Sequence, residues 1–447
     1  MESMIIYLAT AALAVIIFIP YFVKFRKKQH ENYERRKEAE TLGVIRPQSQ
    51  FPLIDQSLCI GCGSCVLACP EGDVLGVVHG KAMIINGLRC VGHGHCETAC
   101  PVGAIKVGLG DITTRDDIPV LDSGHQSNVP GLYVVGELGG LSLIRNAIAQ
   151  GQNAVRELAK TLPANRDRTI RDLLIVGAGP AGLTAALTAK EQGLNYLLID
   201  QQEPGGTILQ YPRRKLVMTQ PINIPLHGRL DKTEYTKEDL LEIWQRIINK
   251  HQLNIQTGER LTGINPVGDE FELVTQNNSF YARKVVLALG RRGTPRKLGV
   301  PGEKMSKVAY QLIDAQSYQN AHILVVGGGD SAVEAAIALA RQKGNIVSIS
   351  YRKNKFFRIK KKNEDRIMRL IKEKKVLPLF ESTVLEIEPD RVILQQDVEM
   401  FEIPNNYVFI FAGGIPPFKM LQEMGIRFGG QAKTFAPPVA VPSGFSN

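Results

Sequence analysis

Seven cysteines stand between Cys59 and Cys100, and the 447-residue chain has no others. Dense Cys-x-x-Cys spacing in one block is metal-ligand chemistry of a reducing compartment, not a disulfide framework spread over a secreted domain. The first run is Cys59-Ile-Gly-Cys62-Gly-Ser-Cys65-Val-Leu-Ala-Cys69-Pro70. Its three close thiolates cap one face of a cubane iron–sulfur cluster, and its fourth reaches across to a second cluster. A zinc site has no need of the trailing Cys-Pro. The second run, Cys90-Val-Gly-His93-Gly-His95-Cys96-Glu-Thr-Ala-Cys100-Pro101, keeps the frame with His93 at the second ligand position. Crossing the fourth cysteines assigns Cys59, Cys62, Cys65 and Cys100 to one cluster. It assigns Cys69, Cys90 and Cys96 to the other, with His93 as its candidate fourth ligand.

Three readings of His93 stay open: a His-ligated four-iron cluster, a three-iron cluster lacking that corner, or an unrelated surface histidine. Imidazole in place of thiolate makes a cluster less negative and raises its potential. His95, one residue out of frame, reads as a loop residue. The block resembles a two-cluster ferredoxin domain over residues 51–108.

Two glycine-rich turns follow. Leu173–Val176 is an apolar strand running into Gly177-x-Gly179-x-x-Gly182, a helix, and a second strand ending in Asp200. Glycines there admit a pyrophosphate against a helix N-terminus, and the acid is placed for a ribose hydroxyl. With strand, helix and spaced acid together, this is a strong dinucleotide signal. Gly205 and Gly206 allow close backbone approach beside it, and Arg213 or Arg214 is a candidate partner for reduced flavin, with a plain surface role as the equal alternative. The second copy is His322–Val326 followed by Gly327, Gly329 and Ala332, but its second strand ends Ser350-Tyr351-Arg352-Lys353 without an acid. Arginine there suits the 2′-phosphate of NADP. Arg352, Lys353 and Arg358 are the expected clamp, with NAD as the alternative nucleotide. Solvated surface charge is the plainer account, and Lys360–Lys362 extend the run without an evident role.

These turns, the stretch Ala288-Leu-Gly-Arg-Arg-Gly-Thr-Pro295 and the strand Tyr407–Pro417 resemble the thioredoxin-reductase-like family of FAD/NAD(P) flavoproteins, over about residues 110–430. The resemblance implies an NAD(P) domain inserted into a discontinuous FAD domain. Family members close with Val-Pro-Gly-Leu-Tyr-Val-Val-Gly-Asp and a helix over the flavin. Here that motif stands early, at Val129–Glu137, with Gly136 and Glu137 as the implied flavin contacts and Glu in place of Asp. A circularly permuted FAD domain is therefore expected, with the clusters fixed beside the flavin. The family's redox cysteine pair is missing from Val308–Tyr318, and the cysteine of a similar bacillithiol-disulfide reductase branch is replaced by Ala181. No thiolate, nucleophile or acid–base dyad is expected near the flavin, so no catalytic side chain is assigned.

Met4–Val23 is almost wholly apolar and long enough for a hydrocarbon core of roughly 30 Å. The basic flank Lys24–Lys28 predicts a single-pass anchor in the inner membrane with the body facing the cytoplasm. A cleavable signal peptide would put its basic residues ahead of the apolar run. The net charge of +10 sits largely in two local clusters, without a basic face carrying interleaved aromatics, which argues against nucleic acid.

The expected order is an anchor over 1–25, a charged linker over 26–50, the ferredoxin domain over 51–108 and the displaced FAD segment over 109–165. An FAD-binding domain over 166–303, an NAD(P)-binding domain over 304–403, and a return strand with tail over 404–447 complete it. The fold class is α/β, with two Rossmann-like domains, an α+β bacterial-ferredoxin domain and one transmembrane helix. The expected function is hydride transfer from NADPH to FAD, then single electrons to the clusters and an external acceptor, or the reverse. A redox protein or quinone is the expected partner, with a homodimer or larger membrane complex as the assembly. The alternatives are an electron-transfer subunit with vestigial nucleotide use, and a low-molecular-weight disulfide reductase.

Overall fold

The computed structural model describes residues 2–41, 45, 50–110, 115–140, 143–163, 169–213, 215–218, 221–232, 234–291 and 293–429. The chain divides into two compact units, one of residues 1–110 and 296–413, the other of residues 111–295 and 414–447.

In the first unit, helix α1 (Glu2–Thr41) is a single 40-residue element with Pro20 inside it. The apolar stretch Met4–Val23 is only its first half; the second half carries the charged residues 24–41. That half is fixed by side chains to the cysteine block: Asn32 Nδ2 donates to Val77 O at 3.2 Å, and Arg35 pairs with Asp73 at 2.9 Å. Among the described residues no helix is long and apolar enough to cross a membrane. This overturns the expected anchor over 1–25 and the inner-membrane placement drawn from it.

The cysteine block pairs β1 (Phe51–Ile54) with β4 (Ile105–Gly108), and β2 (Leu75–Val78) with β3 (Lys81–Ile84), all antiparallel. Two short helices, α2 (Ser64–Ala68) and α3 (His95–Thr98), each follow a glycine in the left-handed region, Gly63 (φ 79°) and Gly94 (φ 86°). Only glycine adopts that conformation without strain, so the two runs turn alike.

The second unit opens with β5 (Leu132–Val134) and α4 (Ile144–Lys160), then β6 (Arg171–Val176), α5 (Pro180–Glu191) and β7 (Tyr196–Asp200). After α6 (Lys237–His251) come β8 (Ile255–Thr257), β9 (Leu261–Val267), β10 (Glu270–Thr275) and β11 (Ser279–Leu287). The sheet order is β8-β7-β6-β11-β10-β9. The first half of β11 pairs with β10, and its last three residues pair in parallel with β5, Val285 opposite Leu132. Thus the segment ahead of the first glycine turn supplies a strand to that turn's own sheet. The core beneath is continuous, with Val134, Leu174 and Leu287 all fully buried.

The rest of the first unit is a second parallel sheet. It holds β12 (Val308–Ala309), β13 (His322–Val326), β14 (Ile346–Tyr351), β15 (Val376–Phe380) and, beyond the meander of β16 (Ser382–Ile387), β17 (Arg391–Gln396) and β18 (Glu399–Pro404), strand β19 (Tyr407–Ile410). Helices α7 (Asp330–Leu339) and α8 (Lys361–Lys372) accompany it. Strand β19 lies between β12 and β13, so Tyr407–Ile410 belongs to this sheet and not to a return into the first dinucleotide fold. After β19 the chain passes back to the second unit at Gly414, where Gly414–Ile415 pairs with Thr294–Pro295.

Candidate functional site

The cysteines rim two recesses. Cys59, Cys62, Cys65 and Cys100 line one of about 290 Å³. Cys69, Cys90 and Cys96 line another of about 340 Å³, together with His93 and His95. The crossing comes from the short helices, which carry Cys65 and Cys96 inward and release Cys69 and Cys100 from the opposite end. Gly61 (φ 70°) matches Gly92 (φ 76°) in the same two frames, so His93 occupies the backbone position that Cys62 holds in the first run. Backbone N–H groups of Ala82 and Ala104 donate to Cys59 Sγ and Cys100 Sγ, each at 3.3 Å.

All seven thiols are free of disulfides. Burial, then the neighbouring Cys96, pushes the Cys65 thiol up to about 11. Burial raises Cys90 and Cys96 to about 11 as well. Such thiols make poor nucleophiles and become thiolates only when a metal centre draws off the proton. Among the described residues no three His, Cys, Asp or Glu side chains converge as the shell of a single metal ion. Thiols spread around a recess fit the wider body of an iron–sulfur cluster.

The recess of Cys69, Cys90 and Cys96 has a carboxylate in its rim that sequence reasoning missed. Glu71 Oε1 lies 3.0 Å from His93 Nε2 and 3.1 Å from Lys360 Nζ. Burial opposes its ionisation, but the His93 hydrogen bond and the Lys360 charge prevail and hold the carboxyl below its usual range. Lys360 belongs to the second dinucleotide fold, so its role lies here. Lys355 likewise pairs with Glu38, and Arg89 joins Asp73 to Glu364.

In the second unit the first glycine turn closes on itself. A Cβ on Gly177 (φ 109°) would stand 2.4 Å from Ala288 O, and one on Gly182 only 1.8 Å from Gly177 O. Asp200 Oδ2 accepts from Ala178 N at 2.5 Å, and Gly205 N donates to Ala178 O at 2.8 Å. Gly206 leans on Gly179, where a Cβ would come within 2.8 Å of Cα. Burial raises the Asp200 carboxyl, against the backbone donors that favour its charged form. The displaced segment reaches the same turn. Gly136 N donates to Gln150 Oε1 at 2.7 Å, Glu137 is the second residue of the short turn Gly136–Gly139, and a Cβ on Gly151 of α4 would meet Ala181 O at 2.2 Å. Asn146 Nδ2, in the first turn of α4, is buried without a hydrogen-bond partner among the described residues. This orphaned donor and the Cβ-free cradle fit a bound dinucleotide. Arg213 is exposed and Arg214 lies outside the described residues.

The second glycine turn repeats the device. A Cβ on Gly327 (φ 138°) would stand 2.5 Å from Phe411 O and 3.2 Å from Ala332 Cβ, whereas Gly329 faces open space. Arg352, Lys353 and Arg358, at and beyond the end of β14, are exposed. Among the described residues none of the three has an ion pair, in contrast to Lys355 and Lys360 nearby.

Comparison with known proteins agrees with this geometry. Residues 174–436 match the pyridine nucleotide-disulphide oxidoreductase model, and residues 51–101 match a 4Fe-4S dicluster domain. A ferredoxin–NADP reductase of Ignicoccus hospitalis is 35% identical over 42% of this chain and 58% of its own length. A thioredoxin reductase of Listeria monocytogenes is 30% identical over 58% of this chain and 79% of its own. Among solved structures, the bacillithiol disulfide reductase of Staphylococcus aureus aligns with a TM-score of 0.52 at 25% identity, covering 57% of this chain and 80% of that one. The chain belongs to the pyridine nucleotide-disulphide oxidoreductase family and carries a 4Fe-4S ferredoxin domain.

Proposed function

We propose that this chain is an NAD(P)H-dependent flavo–iron–sulfur oxidoreductase. It moves a hydride from NADPH to FAD and single electrons onward to two clusters and an external redox protein or quinone, or runs the reverse. The observation that carries this reading is the distribution of sulfur. The thiols rim two recesses in the ferredoxin domain, and the flavin-side position open to a nucleophile in related enzymes holds buried Ala181. A disulfide reductase of this fold needs a thiolate beside its flavin, and no cysteine follows Cys100.

FAD would supply the conversion between two-electron and one-electron transfer, and the clusters the one-electron path. The chain's own residues bind and orient. Gly177, Gly179, Gly182, Gly205 and Gly206 admit the FAD pyrophosphate, Asp200 holds its ribose, and Gly136, Glu137 and Asn146 approach from the displaced segment. The parallel pairing of β5 with β11 supports the reading of that segment as the permuted end of the FAD domain. Gly327, Gly329 and Ala332 would admit the nucleotide phosphates, with Arg352, Lys353 and Arg358 on the 2′-phosphate. Cys59, Cys62, Cys65 and Cys100 would hold one cluster, and Cys69, Cys90, Cys96 and His93 the other.

Anaerobic titration of the purified protein with NADPH, followed by flavin absorbance and cluster EPR, tests this. Bleaching of the flavin and then reduction of the clusters is expected. Protein devoid of iron and acid-labile sulfide, or a flavin that NADPH leaves oxidised, would defeat the reading.

A further inference from the structure

We propose that Glu71 and Lys360 couple the second cluster to the nucleotide loop, so that binding of the nucleotide phosphates lowers that cluster's reduction potential. This rests on the flavo–iron–sulfur reading above. A continuous path joins the two sites inside one compact unit. Asp330 follows Gly329 directly and begins α7; its Oδ1 accepts from Lys360 N at 2.9 Å and from Asn363 Nδ2 at 2.7 Å. The Lys360 side chain then reaches Glu71 Oε1 at 3.1 Å, and the same oxygen meets His93 Nε2 at 3.0 Å.

Glu71 is no ordinary surface partner. Its side chain is 10% exposed, it directly follows Cys69-Pro70, and it lines the recess of Cys69, Cys90 and Cys96. A carboxylate on one ring nitrogen is the usual support of a metal-bound histidine, fixing the tautomer and leaving the other nitrogen as ligand. Docking alone does not require this arrangement. Arg89–Glu364 and the Asn86–Phe357 hydrogen bond already join the two modules.

The sign follows from charge. Lys360 offsets Glu71 beside the recess and so favours the extra electron on the cluster. A nucleotide brings phosphate charge to Arg352, Lys353 and Arg358 on the loop that leads into Lys360, which weakens that compensation and makes the electron less favourable. Linkage is reciprocal, so reduction of the second cluster must weaken nucleotide binding by the same factor.

The test is a potentiometric titration of the full chain followed by EPR, with and without saturating adenosine 2′,5′-bisphosphate. This probe fills the phosphate positions but has no nicotinamide to take electrons. The midpoint of the cluster assigned to Cys69, Cys90, Cys96 and His93 should fall by about 40 mV, equivalent to about fivefold weaker binding to the reduced protein. The other cluster should hold its midpoint and serves as the internal reference. Lys360→Met should still bind the bisphosphate, measured directly, while losing the shift. Glu71→Gln should raise the midpoint without nucleotide. An unmoved second cluster at saturation, an equal shift in both clusters, or a shift that persists in Lys360→Met would overturn the proposal while leaving the functional reading intact. Protein that holds no clusters overturns the functional reading itself, and this proposal with it.

Discussion

The Arg89 guanidinium meets the Glu364 carboxylate at 2.9 Å from a side chain only 4% exposed, joining the ferredoxin domain to helix α8 across 275 residues of sequence. It also reaches Asp73 at 3.2 Å, so one buried cation serves two acids. Removing one partner of a fully buried pair costs about 3–5 kcal/mol. Asp73 and Glu364 keep 26% and 28% exposure and are partly rehydrated. Arg89→Met should therefore destabilise this unit by about 1–3 kcal/mol. Urea denaturation would show a lower midpoint, with hydrogen exchange accelerating along α8. An unchanged midpoint would remove Arg89 from the docking interface.

The crossed cysteines separate two variants. Cys100→Ser should abolish the cluster of Cys59, Cys62 and Cys65, while Cys69→Ser should abolish the cluster of Cys90 and Cys96. Each should retain about half the iron, with different EPR signals surviving. If both lose the same signal, the recesses do not correspond to separate clusters.

How far this was legible in the sequence depends on how local the constraint is. The cysteine frames and glycine turns could be placed because each is a short backbone device: Gly61 and Gly92, or Gly177 and Gly327, need their conformations whatever surrounds them. Helix α1 misled because twenty apolar residues do not reveal that the helix runs on to Thr41 with its charged half docked. Tyr407–Ile410 misled because a buried parallel strand reads the same whichever sheet receives it. Glu71 with Lys360 was invisible, since 289 residues separate two charges that only tertiary docking brings together. Asn146 carried no motif; its orphaned amide emerges only once α4 is packed.

Close packing of the displaced segment can be tested by volume. Gly182→Ala drives a methyl onto Gly177 O, and Gly151→Val drives one onto Ala181 O. Neither carbonyl can yield without moving the turn, so both variants should lose FAD, with destabilisation at or above the usual 1–3 kcal/mol or so of overpacking. Gly263→Ala, where a Cβ would meet open space, should leave the flavin-to-protein absorbance ratio unchanged. Full flavin in Gly151→Val would separate α4 from the flavin site.

In the proposed reading, nucleotide choice turns on the exposed cations after β14. A charge-assisted hydrogen bond to the 2′-phosphate contributes about 1.5–3 kcal/mol. Arg352→Ala should accordingly raise KM for NADPH about 10- to 100-fold while leaving NADH oxidation nearly unchanged. Equal losses with both nucleotides would place Arg352 on a shared phosphate or in the fold.

The segment that precedes β5 is held by charge, which makes its attachment dependent on pH. Arg115 and Arg291 both pair with Asp117, at 2.9 and 2.8 Å, and Arg291 also donates to the Asp117 carbonyl at 3.2 Å. Burial opposes ionisation of Asp117, yet the two arginines prevail and hold its carboxyl below the ordinary range. A carboxyl depressed in the folded state contributes stability above its unfolded value, near 4. That contribution drains away as the pH falls through the lower, folded value. Asp117→Asn should thus melt below the parent protein at pH 6. Because protonation leaves the parent with an uncharged group of the same shape, the two melting curves should converge once the pH has fallen through the depressed folded value. A gap that persists there would assign the effect to packing of the side chain and not to its charge.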